Sequence, residues 1–255
     1  MKVTLQLLLF VLLVLLATGT SAQLRASKYE VGANIGAYMY QGDLTPNRFG
    51  SFKTIQPGLS LYGTRYLSSS WGVRANLSFA RLKGDEAKYN SPAFRQQRNF
   101  NFRTPLLELS AVAVWKPFAD NYAKGGKGTL SPYLFGGAGL SLVRIRRDAT
   151  NFNSTYFEAE PAVINGLAAD FSSPTPRLLP VIPIGAGVQY GLTDQWFLHL
   201  ETMYRYTFSD YLDGFSQAAN PKLKDAYSSL SVGVTYKFGK ANNWKCPPVL
   251  SLIHI

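Results

Sequence analysis

The sequence predicts an all-β protein, an eight-stranded antiparallel up-and-down transmembrane β-barrel of the bacterial outer membrane. Three observations lead to this prediction. Runs in which apolar and polar residues alternate recur along the chain. The connectors between them are alternately short and long, as in barrels with short periplasmic turns and long extracellular loops. Aromatic residues make up 14% of the chain and cluster near the ends of the runs, where rings line a membrane interface.

The N-terminus has the features of an export signal. Lys2 precedes an apolar run of about 13 residues, and the small residues Thr20 and Ala22 suit a cleavage site. The run is shorter than the roughly 20 residues that a membrane-spanning helix needs. We therefore expect a signal peptide over residues 1–22, a barrel over 23–239 and a periplasmic C-terminal tail over 240–255.

The charge and cysteine content narrow the class of protein. Only 16% of residues are charged, below the roughly 25% of soluble domains, although the net charge is +11. In an exported chain this excess of cations favours contact with an anionic surface, here outer-membrane lipid, over contact with nucleic acid. The single cysteine, Cys246, excludes an internal disulfide.

The first four strands follow from alternation between an apolar and a polar face. In the first strand Val31 and Ile35 oppose Glu30 and Asn34, and the next three strands repeat this period of two. The predicted spans, each with one residue of its apolar face, are Tyr29–Tyr40 (Ile35), Lys53–Tyr66 (Leu59), Trp71–Lys83 (Val73) and Phe100–Lys116 (Leu109).

The last four strands show the same alternation, with one ambiguous case. In the fifth strand Tyr133 and Phe135 share a face with two glycines, while Leu134 and Leu140 share the other face. No segment with the period and caps of a helix stands out between these strands. The predicted spans are Leu130–Ile145, Leu179–Tyr190 (Ile184), Gln195–Phe208 (Leu200) and Ala226–Phe238 (Val232).

The connectors orient the barrel and place its aromatic residues. "LSSS" and "GLTD" are short, "PFADNYAKGGKGT" is of middling length, and the others, including 146–177, are long and polar. If the short turns are periplasmic, odd strands run outward and the apolar faces form two aromatic girdles. The predicted periplasmic girdle is Trp71, Trp115, Tyr133, Tyr190, Trp196, Tyr236 and Phe238, and the predicted outer girdle is Tyr204, Tyr206 and Phe208.

The opposite faces of the strands carry charged residues that point into the predicted lumen. Buried charges must be paired, so we expect Glu108 and Glu201 to form a network with Arg74 and Arg205. His199 and Lys237 lie on the same inward faces. A relay for protons or substrate is the alternative to this structural role. Side chains fill an eight-stranded barrel, so an open pore is not expected.

No catalytic, cofactor or metal site is predicted. His199 points inward, away from the lipid-facing rim where a lipid-modifying barrel enzyme needs its nucleophile and base. Asp210 and Asp213 in "DYLDG" favour an Asx turn over calcium, which needs six or more oxygen ligands. A soluble β-sandwich or lipocalin-like barrel shares the alternation and stays open as an alternative fold, although it does not explain the girdles.

Four segments resemble PorG-like outer-membrane β-barrels of the type IX secretion system. They are "YEVGANIGAYMYQGDL", "RLKGDE", "RQQRNFNFRTPLLELS" and "YRYTFSDYLDGFS". The resemblance implies a non-enzymatic subunit of a protein secretion apparatus, associated with the periplasmic ring of the lipoprotein PorK and its partner PorN. The landmarks of the resemblance are Asp43, Asp85, Arg98, Glu108, Asp210 and Asp213.

The C-terminal tail and the loop "PFADNYAKGGKGT" are the predicted contact with that periplasmic partner. An even number of strands returns the chain to the periplasm, where the tail carries Trp244, Cys246 and an apolar end. A disordered tail is the alternative. Two other functions stay open: a stand-alone OmpA- or OmpX-like structural or adhesion barrel, and a lipid-modifying enzyme.

Overall fold

The computed structural model describes residues 28–47, 49–68, 70–118, 127–220 and 224–239. The predicted signal peptide and the predicted tail with Trp244 and Cys246 lie outside these residues. The strands are β1 (Lys28–Gln41), β2 (Gln56–Tyr66), β3 (Trp71–Asp85), β4 (Asn101–Trp115), β5 (Leu130–Val143), β6 (Arg146–Asp148), β7 (Leu178–Gly191), β8 (Trp196–Thr207) and β9 (Ala226–Phe238). The α-helices are α1 (Phe94–Arg98) and α2 (Pro161–Ser172), and short 3-10 helices span Phe52–Thr54 and Glu86–Lys88.

Eight long strands close into an antiparallel barrel, which confirms the predicted fold class. Each long strand pairs with the next long strand along the chain, β3 with β4 included. The barrel closes where β1 meets β9, from Tyr29 opposite Phe238 to Gln41 opposite Ala226. One further strand, β6, is short and pairs with the outer end of β4. Closure leaves no strand edge with unpaired backbone N–H and C=O groups. A hydrocarbon core contains no water that could form hydrogen bonds with such groups.

The barrel is apolar outside and polar inside, the reverse of a soluble sheet. On β4, for example, Leu109 is 60% exposed whereas the neighbouring Glu108 is fully buried. Strand β8 alternates in the same way from Trp196 to Thr207. Because successive side chains of a strand point to opposite faces, this alternation gives the wall one lipid-facing and one lumen-facing surface.

The fifth strand ends at Val143 and not at Ile145, and helix α1 lies in the loop before β4, where no helix is predicted. Two further features depart from the sequence prediction. The second strand begins at Gln56 and not at Lys53, because Phe52–Thr54 forms a 3-10 helix in which the Ser51 hydroxyl accepts from the Lys53 amide. The loop between β5 and β7 contains helix α2, which begins with Pro161 at a position where its missing N–H costs nothing. Among the described residues, no helix is long and apolar enough to cross a membrane.

The orientation of the barrel leads to a protease prediction. The loop between β5 and β7 presents an exposed Tyr156, whereas the Leu67 amide donates to the Trp71 carbonyl at 2.8 Å across the short connection between β2 and β3. Protease added to intact cells should cut within 146–177 and spare 67–70. Mass spectrometry of the fragments checks this, and cleavage at 67–70 in intact cells would contradict the orientation.

Candidate functional site: the filled lumen and its extracellular cap

In the predicted orientation, the periplasmic half of the lumen holds a cluster of ion pairs around Arg74. Its Nη1 lies 2.7 Å from Oε2 of Glu201, and its Nη2 lies 3.4 Å from Oε1 of Glu30. The guanidinium also stacks over the Tyr62 ring at 4.2 Å. Lys116 Nζ, 3.6 Å from Oε2 of Glu30, completes the cluster. The buried charges therefore balance, two cations against two carboxylates.

The outer half of the lumen holds a second, smaller cluster. Arg205 Nε lies 2.6 Å from Oε2 of Glu108, and Arg205 Nη1 donates to the Ser229 hydroxyl at 2.9 Å. The Tyr227 hydroxyl donates to the same Glu108 oxygen at 2.7 Å. Glu108 is the one described carboxylate that forms an ion pair with Arg205. The structure thus places Arg74 with Glu201 and Arg205 with Glu108, each charge with a partner of opposite sign.

His199 lies beside the Arg74 cluster and bonds to neutral groups. Its Nε2 lies 2.7 Å from Oδ1 of Asn34, and its Nδ1 lies 3.0 Å from the Thr235 hydroxyl. The Tyr62 ring packs edge-on against the imidazole. The side chain is buried in the lumen, so this histidine has no access to a lipid substrate on the outer surface of the wall.

Tyr133 corrects the predicted periplasmic girdle. It is 1% exposed, and its hydroxyl donates to Oε2 of Glu201 at 2.8 Å inside the lumen. The physical reason lies on the neighbouring strand, where a Cβ at Gly187 would collide with the Tyr133 ring. The missing side chain of Gly187 leaves the space that the ring fills. Leu130, Pro132 and Leu134 are the residues of β5 that face lipid near this end.

The other girdle residues lie on the outward face of the wall. Trp71 stacks on Trp115 with 6.1 Å between ring centroids, and Trp196 contacts Tyr236 at 5.0 Å. Tyr206 and Phe208 pack edge to face at 5.3 Å at the opposite end. The remaining outward members of the two girdles are Tyr190, Tyr204 and Phe238.

The long loops fold into a cap over the outer mouth of the barrel. The cap consists of residues 42–55, 86–100, 144–177 and 208–225, without the undescribed Arg48 and 221–223. Its centre is apolar: Phe100 stacks on Phe215 with 4.3 Å between centroids, and Leu44, Leu82 and Leu212 are fully buried beside them. This hydrophobic core packs over the outer mouth of the barrel.

Helix α2 is tied to the cap by one carboxylate. Asp170 is fully buried and accepts from the backbone amides of Ser216, Gln217 and Ala218 at 2.9–3.1 Å. Gly166 lets the helix approach, because a Cβ there would collide with the Gln217 backbone. The helix is therefore held by contacts from a distant loop and not by its own sequence pattern.

A second carboxylate, Glu86, binds two arginines at the base of the cap. Its Oε1 lies 2.9 Å from Arg95 Nη1 and 2.5 Å from Arg98 Nη2, and its Oε2 accepts from Arg98 Nε at 2.9 Å. The Phe100 amide also donates to Oε2. Glu86 is fully buried. Because Arg98 binds it through two nitrogens, the geometry is that of a strong bidentate pair.

Asp213 forms the expected Asx turn and has a second role. Its Oδ1 accepts from the Phe215 amide at 2.8 Å. The Tyr40 hydroxyl oxygen lies 2.7 Å from Oδ2 of Asp213 and 2.6 Å from Oδ1 of Asp225. One phenolic proton cannot serve both carboxylates, so the second short contact requires a proton on the Asp213–Asp225 pair.

The Asp213–Asp225 pair predicts that the cap loosens at alkaline pH. Burial raises the pKa of Asp225 to about 8, and burial together with Asp225 raises the pKa of Asp213 well above its usual range. A carboxyl group whose pKa is raised in the folded state favours folding while it is protonated. Its contribution to the stability of the cap is complete below the unfolded pKa of about 4 and is lost as the pH rises through about 8. Protease should therefore cut 208–225 faster at pH 9 than at pH 6.

Asp225→Asn is the variant that tests this explanation, because it removes one of the two titrating groups. It should lose most of the difference in cleavage rate between the two pH values. Glu158→Ala, which removes an exposed carboxylate of the same cap, should keep the difference. An unchanged pH profile in Asp225→Asn would contradict the role of the pair.

The motif residues of the sequence resemblance lie mostly in or beside this cap. Arg98 and Asp213 are described above, and Asp210 accepts from the Ser216 hydroxyl at 2.5 Å. Asp43 accepts from the Asn220 amide at 2.7 Å. Asp85 ends β3 at an ion pair with Lys83. Within the described part of the chain, no three metal-ligating side chains come together.

The closed sheet, the charged lumen and the apolar outer surface define a class: this is an outer-membrane β-barrel, and the protein lies in the bacterial outer membrane. The chain belongs to the DUF6089 family, a domain of unknown function whose model matches residues 5–246. The comparison with curated proteins finds no match.

Several solved structures are similar to this chain. Ail, the attachment invasion locus protein of Yersinia pestis, has a TM-score of 0.44 at 14% identity, covering 83% of this chain and 99% of Ail. OprG from Pseudomonas aeruginosa has a TM-score of 0.47 at 12% identity, with 85% and 98% covered. The outer membrane enzyme PagL has a TM-score of 0.38 at 12% identity, with 81% and 98% covered.

Proposed function

We propose that this chain is a non-enzymatic subunit of a type IX protein secretion apparatus, in which it contacts a periplasmic ring of PorK- and PorN-like proteins. The observation that carries the proposal is the closure of the barrel: ion pairs fill the lumen and a folded cap covers its outer mouth. We do not expect a barrel that is filled and covered in this way to carry cargo through its centre. Its function then depends on its surfaces.

The periplasmic rim supplies the contact surface in this proposal. Leu67, Phe118 and Leu192 follow β2, β4 and β7 at the periplasmic end of the barrel, and all three side chains are exposed. We call these three residues the rim triad. Exposed apolar residues that recur around one end of a barrel suit a protein partner. The four sequence segments that resemble PorG-like barrels supply the identity of that partner.

The non-enzymatic part of the proposal rests on His199. Both of its ring nitrogens bind neutral lumen groups, and its site is separated from the lipid by the barrel wall. A lipid-modifying enzyme needs its base beside a nucleophile that reaches the substrate. His199→Ala should therefore leave the lipid A profile of the cells unchanged in mass spectrometry, and an altered profile would favour the enzyme.

A stand-alone OmpA- or OmpX-like structural or adhesion barrel is the second candidate. The ordered cap favours it, because a folded extracellular surface with exposed Tyr156 and Phe171 suits contact with another cell or with the envelope. In this case the periplasmic rim and the tail carry no function. Secretion would then be independent of both.

Crosslinking and secretion assays separate the two candidates. Whole-cell crosslinking through Cys246 should capture a PorK- or PorN-like protein, and deletion of 240–255 should reduce secretion while the barrel still shows heat-dependent gel migration. Replacing the rim triad by serine should also reduce secretion. The control is Phe171→Ser in the cap, which should secrete normally. Normal secretion by the deletion and by the rim variant, with no capture through Cys246, would leave the stand-alone barrel.

A further inference from the structure

Five cations form a patch on the outside of the barrel, at the edge where the wall meets the cap. Lys83 on β3 lies opposite Arg103 on β4, and Arg103 lies opposite Arg146 on β6. One step nearer the membrane, Arg81 lies opposite Pro105, whose carbonyl accepts from the Arg144 amide at 3.1 Å. These residues therefore form two neighbouring rows across three strands. We call Arg81, Lys83, Arg103, Arg144 and Arg146 the basic patch.

The alternation of each strand places the basic patch on the lipid-facing side. Arg81 and Lys83 continue the outward series of Phe79 on β3, and Arg103 continues that of Leu109 on β4. The intervening residues, Leu82 and Phe102 among them, are fully buried under the cap. Arg147 points inward and donates to the carbonyls of Gly214 and Ser173. The cations of the patch thus project away from the lumen.

The height of the patch corresponds to the outer membrane–water interface. Trp71 marks the periplasmic girdle, and Arg81 follows it ten residues later on the same face of β3. Ten residues rise about 33 Å along a strand, which is about 25 Å along the membrane normal at a tilt of about 40°. The apolar band of such barrels is also about 25 Å tall. Arg81 therefore lies at the level of the lipid headgroups.

The basic patch has more positive charge than the surrounding protein neutralises. Lys83 forms an ion pair with Asp85 at 3.2 Å. In the described part of the chain, no carboxylate forms an ion pair with Arg81, Arg103, Arg144 or Arg146. Like charges directly opposite each other on neighbouring strands destabilise a sheet. An anion from outside the protein would remove this repulsion.

We propose that the basic patch binds the phosphate groups of a phosphorylated glycolipid of the outer leaflet. Planar guanidinium groups bind phosphate through two nitrogens, and cations at the headgroup level attract anionic lipid. The exposed Phe79, Leu109 and Leu142 lie below the patch on the same face and contact the acyl chains. This site is on the outer leaflet and is independent of the periplasmic contact proposed above.

The test is binding of purified full-length protein to lipid A in nanodiscs, with and without its phosphate groups. The variant is Arg103→Gln/Arg146→Gln. Its matched control is Arg65→Gln, which removes an outward cation at the periplasmic end of β2. Each cation near a membrane surface contributes about fivefold in affinity, so the double variant should bind phosphorylated lipid A about thirtyfold more weakly. Arg65→Gln should bind as the unchanged protein does.

Three results would overturn the proposal. They are equal binding of phosphorylated and dephosphorylated lipid A, an equal loss of affinity in Arg65→Gln, and binding of an acidic polysaccharide in place of lipid A. Thermal unfolding provides a second readout that does not depend on binding in the membrane. In detergent without lipid, the double variant should be at least as stable as the unchanged protein, because a like-charge contact has been removed. Added phosphorylated lipid A should raise the melting temperature of the unchanged protein and of Arg65→Gln equally, and that of the double variant by less.

Discussion

Replacing Glu108 by alanine should lower the free energy of unfolding of the barrel by about 3–5 kcal/mol, because it leaves Arg205 buried without its ion-pair partner. Glu201→Ala should cost less, since Arg74 keeps Glu30 at 3.4 Å. The order of the two effects follows from the number of carboxylates around each arginine. Urea unfolding of the two variants in lipid vesicles measures both free energies.

A double variant distinguishes a lost ion pair from lost packing. Glu108→Leu/Arg205→Met replaces both buried charges by apolar side chains, and such replacements are often neutral or stabilising. It should therefore unfold at a urea concentration close to that of the unchanged protein. If Glu108→Ala costs less than Glu201→Ala, the pairing described for the outer half of the lumen is wrong.

Replacing Glu86 by alanine should detach the base of the cap and leave the barrel wall intact. The change leaves two arginines without their carboxylate, and Arg98 and Arg95 are both largely buried. Loss of a buried ion-pair partner costs about 3 kcal/mol, which corresponds to a population of the open cap about a hundredfold larger. Protease should cut 86–100 faster by about that factor if opening precedes cleavage.

Two controls show whether this effect is local. Glu158→Ala removes an exposed carboxylate of the same cap and should leave the cleavage rate unchanged. The heat-dependent migration of Glu86→Ala on a denaturing gel should match that of the unchanged protein, because the strands do not depend on Glu86. Loss of the folded barrel in this variant would contradict the separation of cap and wall.

The strands could be predicted from the sequence because the membrane requires a regular pattern. A wall that faces lipid on one side and a filled lumen on the other must alternate along every strand, so the span and orientation of β8 follow from its residues alone. The need to neutralise buried charge predicts a network of Arg74, Arg205, Glu108 and Glu201, whereas the structure decides which arginine pairs with which carboxylate. The same alternation of inward and outward residues continues to Glu30 and Lys116 at the ends of their strands. Following it to these two residues would have placed both in the lumen network.

The cap could not be predicted in the same way because its contacts join distant parts of the chain. Helix α2 depends on hydrogen bonds from Asp170 to Ser216, Gln217 and Ala218, and the sequence of the helix does not contain that information. Tyr133 was misplaced for a related reason. The side of β5 on which its ring fits is decided by Gly187 on the neighbouring strand.

Single-channel recording in planar lipid bilayers tests most directly whether the barrel is closed and acts through its surfaces. Full-length protein, with its insertion verified by protection of the strands from protease, should show no steady open-channel current. This is expected because the ion pairs of Arg74 and Arg205 and the core of the cap occupy the described part of the lumen and its outer mouth. A steady conductance that rises in Glu86→Ala would mean that the lumen is a gated pore, and would contradict the proposed role.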